Sequence, residues 1–253
     1  MDLEYKIEIA TTDFNTTKAA VEGGANRIEL CCGLAEGGLT PSLGQIKMCR
    51  ELFTVQLFPI IRPRAGDFLY NDEEFDIMLE DVKLSKQLDC DGVVIGILNK
   101  DGSIDVERVE KLIETAYPLE VTFHRAFDRC RDPFEALEQL INIGCSRILT
   151  SGQQPTAPLG IELIRKLVEA ADERIIIMPG SGVRPDNIIE LAERTKAREF
   201  HTSLRSKIKS KMDYIHPAFA LSEESYSNHH IDSKQVKELK KILADLQGNL
   251  TSG

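Results

Sequence analysis

Short β-branched and aromatic runs recur along this chain, and between them lie longer stretches whose apolar positions follow helical spacing. The runs at 6–10, 26–30, 56–62, 91–96, 119–124, 147–150, 174–178 and 198–202 read as strands. Residues 14–24, 72–88 and 132–144 read as amphipathic helices, the second with Phe75, Met78, Leu79 and Val82 on one face. Asp132 before Pro133 supplies a cap and a first-turn proline, and Gly144 stands where that helix should stop. Eight strands alternating with helices predict an α/β fold, the TIM (β/α)8 barrel. Residues 1–253 read as a single domain, with 203–253 a more polar C-terminal extension. That extension holds SEESYSNHH at 222–230, an excursion before a last helix at 233–246. An open doubly wound sheet is the alternative, but no Gly-x-Gly-x-x-Gly follows the first strand.

Five runs carry charge where a strand should be apolar: KIEIA (6–10), NRIEL (26–30), FPIIRPR (58–64), VTFHR (121–125) and REFHT (198–202). A buried charge is costly unless it is paired or serves chemistry. Side chains alternate across a strand, so the apolar face of each run belongs under the helices and the charged face inside the barrel. That parity turns Glu8, Arg27, Glu29, Glu199 and His201 inward from the first, second and eighth strands, which are neighbours in a closed barrel. Arg62 and His124 join from the third and fifth. The set near-balances its charge, as an internal salt-bridge network would. It also lies towards the strands' C-terminal ends, where barrel enzymes place their sites. Glu8, Arg27, Glu29, Arg62, His124 and His201 are therefore the candidate catalytic group. His124 and His201 are the expected proton carriers, Arg62 and Arg64 the anion clamps, and the glutamates bases or orienting groups. Gly180, Ser181 and Gly182 precede a helix and are expected to offer backbone N–H groups to an anion, with Ser203 and Arg205 nearby.

Composition narrows the partners. The chain has 253 residues, 42% apolar and 28% charged, with a net charge of −10, which argues against nucleic acid or an anionic membrane. No run approaches the roughly 20 apolar residues of a membrane-spanning helix. The acidic start MDLEYKIEI does not read as a signal peptide, and six cysteines without CxxC or CxxH spacing read as reduced thiols, which predicts a cytoplasmic protein.

Seven stretches, taken together and in order, resemble the copper homeostasis protein CutC family: GGANRIELCCGLAEGGLTPSLG (23–44), IIRPRAGDFLYNDEEF (60–75), DGVVIGILNKDGSID (91–105), VTFHRAFD (121–128), RILTSG (147–152), IIMPGSGV (176–183) and EFHTSLRS (199–206). The resemblance implies a TIM barrel, a cytoplasmic location, a homo-oligomer (dimer or tetramer), and copper handling with Cu(I) as the bound ion. It also implies Cys31 as a metal ligand. The cysteine that some relatives carry at the end of the first strand is Ala10 here, and the one after the last strand is Thr202. Cu(I) prefers thiolate or thioether ligands, and one inward thiol is a poor set for it. Two functions follow as expectations: a copper-binding homeostasis protein, or a barrel enzyme acting on a small phosphorylated or carboxylated molecule. A regulatory scaffold without a ligand is a third.

Overall fold

The computed structural model describes residues 4–219 and 226–251. Its strands are β1 (Lys6–Thr11), β2 (Arg27–Leu30), β3 (Gln56–Pro59), β4 (Gly92–Ile95), β5 (Glu120–Phe123), β6 (Arg147–Thr150), β7 (Ile176–Pro179) and β8 (Glu199–Thr202). Helices α1 (Phe14–Glu22), α2 (Leu43–Leu52), α3 (Asp72–Gln87), α4 (Val106–Ala116), α5 (Pro133–Asn142), α6 (Ile161–Ala171) and α7 (Ile188–Thr195) alternate with them. All pairings among β1–β8 are parallel, in the orders β3-β2-β1-β8 and β4-β5-β6-β7. An Ile60–Val94 bridge, with Ile61 N–H donating to the Val94 carbonyl at 2.7 Å, joins β3 to β4. β7 and β8 pack side by side, so the strands form the ring of a TIM barrel.

Alternation explains which face is which. Ile7 and Ile9, Ile28 and Leu30, and Phe200 are fully buried in the layer beneath the helices. Glu8 and Ala10, Arg27 and Glu29, and Glu199 and His201 take the opposite parity, towards the barrel axis. The register sets Glu8 beside Arg27 on one side and beside His201 on the other. Asp13, Asn71 and Asp132 each cap a helix by accepting backbone N–H groups of its first turn, which starts α1, α3 and α5 where the sequence marks them.

Between β8 and the last helix the chain makes an antiparallel pair, β9 (Arg205–Lys209) and β10 (Ser227–Ile231). Residues 222–225 of the SEESYSNHH segment lie outside the described residues; Ser227 to His230 belong to β10. The last helix, α8 (Ser233–Thr251), is longer than the expected 233–246. Its Val236, Leu239 and Leu243 are buried in the main core, and it packs on α1 and α7. It thus occupies the eighth helix position of the ring.

Candidate functional site

The inward charges form a layered network. At its base, Arg27 donates from Nε to Glu8, from Nη2 to Glu199 Oε2 at 2.5 Å, and to Met178 Sδ at 3.4 Å. Arg147 donates from Nε to the same Glu199 oxygen at 2.8 Å, and reaches Thr122 and Glu120. Arg27, Arg147, Glu8 and Glu199 are all buried. Such a network holds because each charge has a partner within hydrogen-bond reach. Arg147 is absent from the sequence-derived candidates. Its signal was the same as the others: a lone arginine of inward parity in the apolar run RILT.

Above this base stands a Glu–His–Glu relay. His201 Nδ1 donates to Glu8 Oε1 at 2.7 Å, and its Nε2 lies 3.7 Å from Glu29 Oε2. Burial favours a neutral Glu8, but Arg27 and the His201 hydrogen bond outweigh it and hold the carboxyl down at about 2. Glu29 lacks a guanidinium partner, and burial pushes it up to about 7. For His201 burial works against the charged form, yet Glu29 and Glu8 raise it above the usual imidazole value. His201 and Glu29 face each other as a long ion pair, while Glu8 stays ionised and orients the ring. One ligand atom from each of Glu8, Glu29 and His201 fits within a 4.8 Å span. The two imidazole nitrogens address different carboxylates, however, and Glu8 is already gripped by Arg27. A cation held there would have to displace those contacts.

The relay opens into a cavity of about 640 Å³ at the C-terminal ends of the strands. Glu29 and His201 line it, as do Arg62 and His124. Arg62 is buried and donates only to neutral carbonyls: from Nη1 to Glu36 at 2.7 Å and Gly38 at 2.8 Å, and from Nη2 to Gly66 at 3.0 Å. Its guanidinium charge has no carboxylate partner among the described residues. His124 accepts the Ala126 N–H at Nδ1, 3.0 Å away, which leaves its proton on Nε2. That Nε2 is buried and has no hydrogen-bond partner among the described residues. Burial and the Arg62 charge push the imidazole down to about 3, so it is neutral at ordinary pH.

The loop candidates divide. Ser181, Gly182, Ser203 and Arg205 line the cavity mouth. Gly180 does not; it packs under Leu149 and His201. The turn also does not lead directly into a helix, since α7 starts only at Ile188. Arg64 is no clamp on the cavity. Its guanidinium is held by Glu74 at 2.5 Å, Asp67 at 3.0 Å and the Leu69 carbonyl at 2.7 Å, and it stacks on Tyr70. Arg125 and Arg184 line the mouth instead, Arg125 steadied by Asp128 at 2.8 Å and Ser151 at 2.8 Å.

Cys31 faces the barrel interior but not the cavity. It is fully buried among Phe58, Ile60 and Val94, and its thiol donates to the Thr11 carbonyl at 3.2 Å. Burial, with Glu29 nearby, keeps the thiol protonated well above its usual range.

A profile of the CutC family matches residues 5–206. The chain belongs to the CutC family. A relative from Bacteroides fragilis, named family protein CutC, is 48% identical over 248 residues, 97% of this chain and 99% of its own. A crystal structure from Streptococcus agalactiae that carries the name copper homeostasis protein CutC superposes with a TM-score of 0.76 at 34% identity, covering 79% of this chain and 98% of that one. The fold alone is shared with thiamine phosphate pyrophosphorylase from Pyrococcus furiosus, at TM-score 0.58 and 17% identity over 96% of this chain and 97% of that one.

The donor set does not fit Cu(I). Cys31 is a protonated thiol with its hydrogen committed, Ala10 and Thr202 contribute no sulfur, and Met178 Sδ already accepts from Arg27.

Proposed function

We propose that this CutC-family chain is a barrel enzyme performing acid–base chemistry on a small, strongly anionic molecule. One observation carries the reading. Among the described residues, four arginines (Arg62, Arg125, Arg184 and Arg205) and a single carboxylate, Glu29, line the cavity of a chain whose net charge is −10. A cavity of inverted charge concentrates anions and rejects the cations that an acidic surface would otherwise gather. Arg62 grips the anionic group, and Glu29 with His201 moves a proton. Six cysteines, all unpaired, favour the cytoplasm as its compartment. Assembly as a homodimer or tetramer is the family expectation, read out by light scattering.

The test is thermal denaturation against a panel of sugar phosphates and hydroxy acids. A ligand at a hundred times its Kd adds about 2.7 kcal/mol, which for a chain of this size raises Tm by about 5–10 °C. At least one anion is expected to give such a shift with wild type and to lose it with Arg62→Gln. A panel with no response would end the reading.

Copper handling comes to this chain through the names of its relatives, and its only inward thiol is Cys31. We expect anaerobic competition titration to find Cu(I) affinity no better than that of a generic surface thiol, and unchanged in Cys31→Ser. Tight binding lost on that substitution would restore the copper reading.

A further inference from the structure

The cavity carries two kinds of group on different walls, and their pairing selects a reaction. On one wall Glu29 presents a carboxylate backed by His201, whose ring is fixed by Glu8. Arg62 stands past the end of β3, next to β2, and the His124 Nε2–H stands in the other half of the barrel, past the end of β5. His124 is held in place. Its Nδ1 takes the Ala126 N–H, Phe68 packs against the ring at 4.8 Å between centroids, and Gly96 leaves room that a Cβ would fill. A neutral imidazole so fixed is a hydrogen-bond donor and not a proton reservoir. An N–H donor buried without an acceptor is costly, and a ligand oxygen placed there relieves the cost.

Resting on the anionic-substrate reading above, we infer that the cavity abstracts a proton from carbon beside a carbonyl, on a phosphorylated α-hydroxycarbonyl compound. Glu29 is the base, the His124 Nε2–H holds the carbonyl oxygen, and Arg62 takes the phosphate. The C–H bond breaks, and its proton goes to the Glu29 carboxylate. Its electron pair forms a carbon–carbon double bond, and the carbonyl π pair moves to the oxygen on His124. Glu29 then returns the proton to the former carbonyl carbon, while the hydroxyl on the carbon that lost it becomes the new carbonyl as its own proton passes to the first oxygen. The product is an isomer, and no co-reactant is consumed. No lysine lines the cavity, so an imine to the protein has no nitrogen to form on. Charge develops on the oxygen that the fixed His124 donor already holds, so the enediolate is held better than the ground state.

Calorimetric titration with glycerol 3-phosphate and with phosphoglycolohydroxamate separates the two levels. The first probe carries the phosphate and only neutral hydroxyls, and the second adds an enediolate-like oxygen pair. Wild type is expected to bind the hydroxamate at least about tenfold tighter, as a transition-state mimic should. His124→Ala is expected to erase that preference while keeping glycerol 3-phosphate binding, and His124→Gln, which restores an N–H donor, to recover part of it. In D2O, NMR is expected to show deuterium entering the carbon-bound positions of ribulose 5-phosphate or dihydroxyacetone phosphate. The rate should fall by about a hundredfold or more in Glu29→Gln. Glycerol 3-phosphate binding with no hydroxamate preference and no deuterium incorporation overturns the inference and leaves the anionic-substrate reading standing. Binding of neither probe overturns both. Should His124→Ala fail to fold, the two wild-type titrations and the exchange rate decide alone.

Discussion

Glu29 and Glu8 sit a few ångströms from the same imidazole, yet burial and partners drive their carboxyls in opposite directions. For Glu29 the folded value lies near 7 against an ordinary 4.5. Between those two values the folded chain keeps a proton that the unfolded chain has lost, so stability falls as pH rises through the window. Above it the full cost is about 3 kcal/mol, taking about 1.4 kcal/mol per unit. Glu29→Gln removes the cost, because the amide never ionises. The variant is expected to be more stable than wild type by about 1–3 kcal/mol at pH 8, and indistinguishable at pH 4. Thermal melts at the two pH values check this, and equal destabilisation at both would place Glu29 among the structural charges. The parity of KIEIA, NRIEL and REFHT was enough to place both glutamates and His201 on the axis. What parity did not reveal was the division of partners, since it cannot say that Arg27 and Arg147 both turn down to Glu199 and leave Glu29 without a guanidinium.

At the scale of elements, strand positions were legible because the runs are β-branched and bounded by caps or turn residues. β6 falls at 147–150 as expected, while β3 stops at Pro59, before the expected 62, with Ile60 forming only an isolated bridge. The loops were less legible. RPRAGDFLY offers two arginines with nothing in their spacing to say that Arg62 turns to the cavity and Arg64 to Glu74. Hidden too was the use of glycine at the two ends of β4, Gly92 being its first residue and Gly96 the one after its last. Gly92 and Gly96 share inward parity, and a Cβ would strike Phe58 at the first and the His124 ring at the second. Both Gly92→Ala and Gly96→Ala are expected to cost about 1–3 kcal/mol by overpacking. Only Gly96→Ala is expected to weaken hydroxamate binding, by about tenfold, because it alone displaces the imidazole donor. If the two variants bind alike, the ring's placement is irrelevant to the site.

The whole molecule raises the question of what α8 is for. From the sequence, 203–253 looked like a polar extension: RSKIKSKM and SEESYSNHH carry no strong apolar period, and the helix after them could have lain loosely on the surface. Packing argues otherwise. Val236 and Leu239 have no exposed surface, and Val236 lies so close to Gly23, just past the end of α1, that a Cβ there would collide with it. Between α7 and α1, α8 covers the seam where β8 meets β1, the two strands that bring His201 to Glu8. A single unit is therefore expected to unfold in one transition. Leu239→Asp should lower its stability by about 3 kcal/mol or more, through lost apolar burial and an unpaired buried carboxylate. Because the same seam aligns the relay, the substitution should also blunt the pH dependence that Glu29 imparts. Denaturant titration followed by far-UV circular dichroism and by tyrosine fluorescence (the chain has no tryptophan) checks both points. An early transition confined to the helix, with the barrel and its pH response unchanged, would make α8 an appendage and return the extension to the role its composition first suggested.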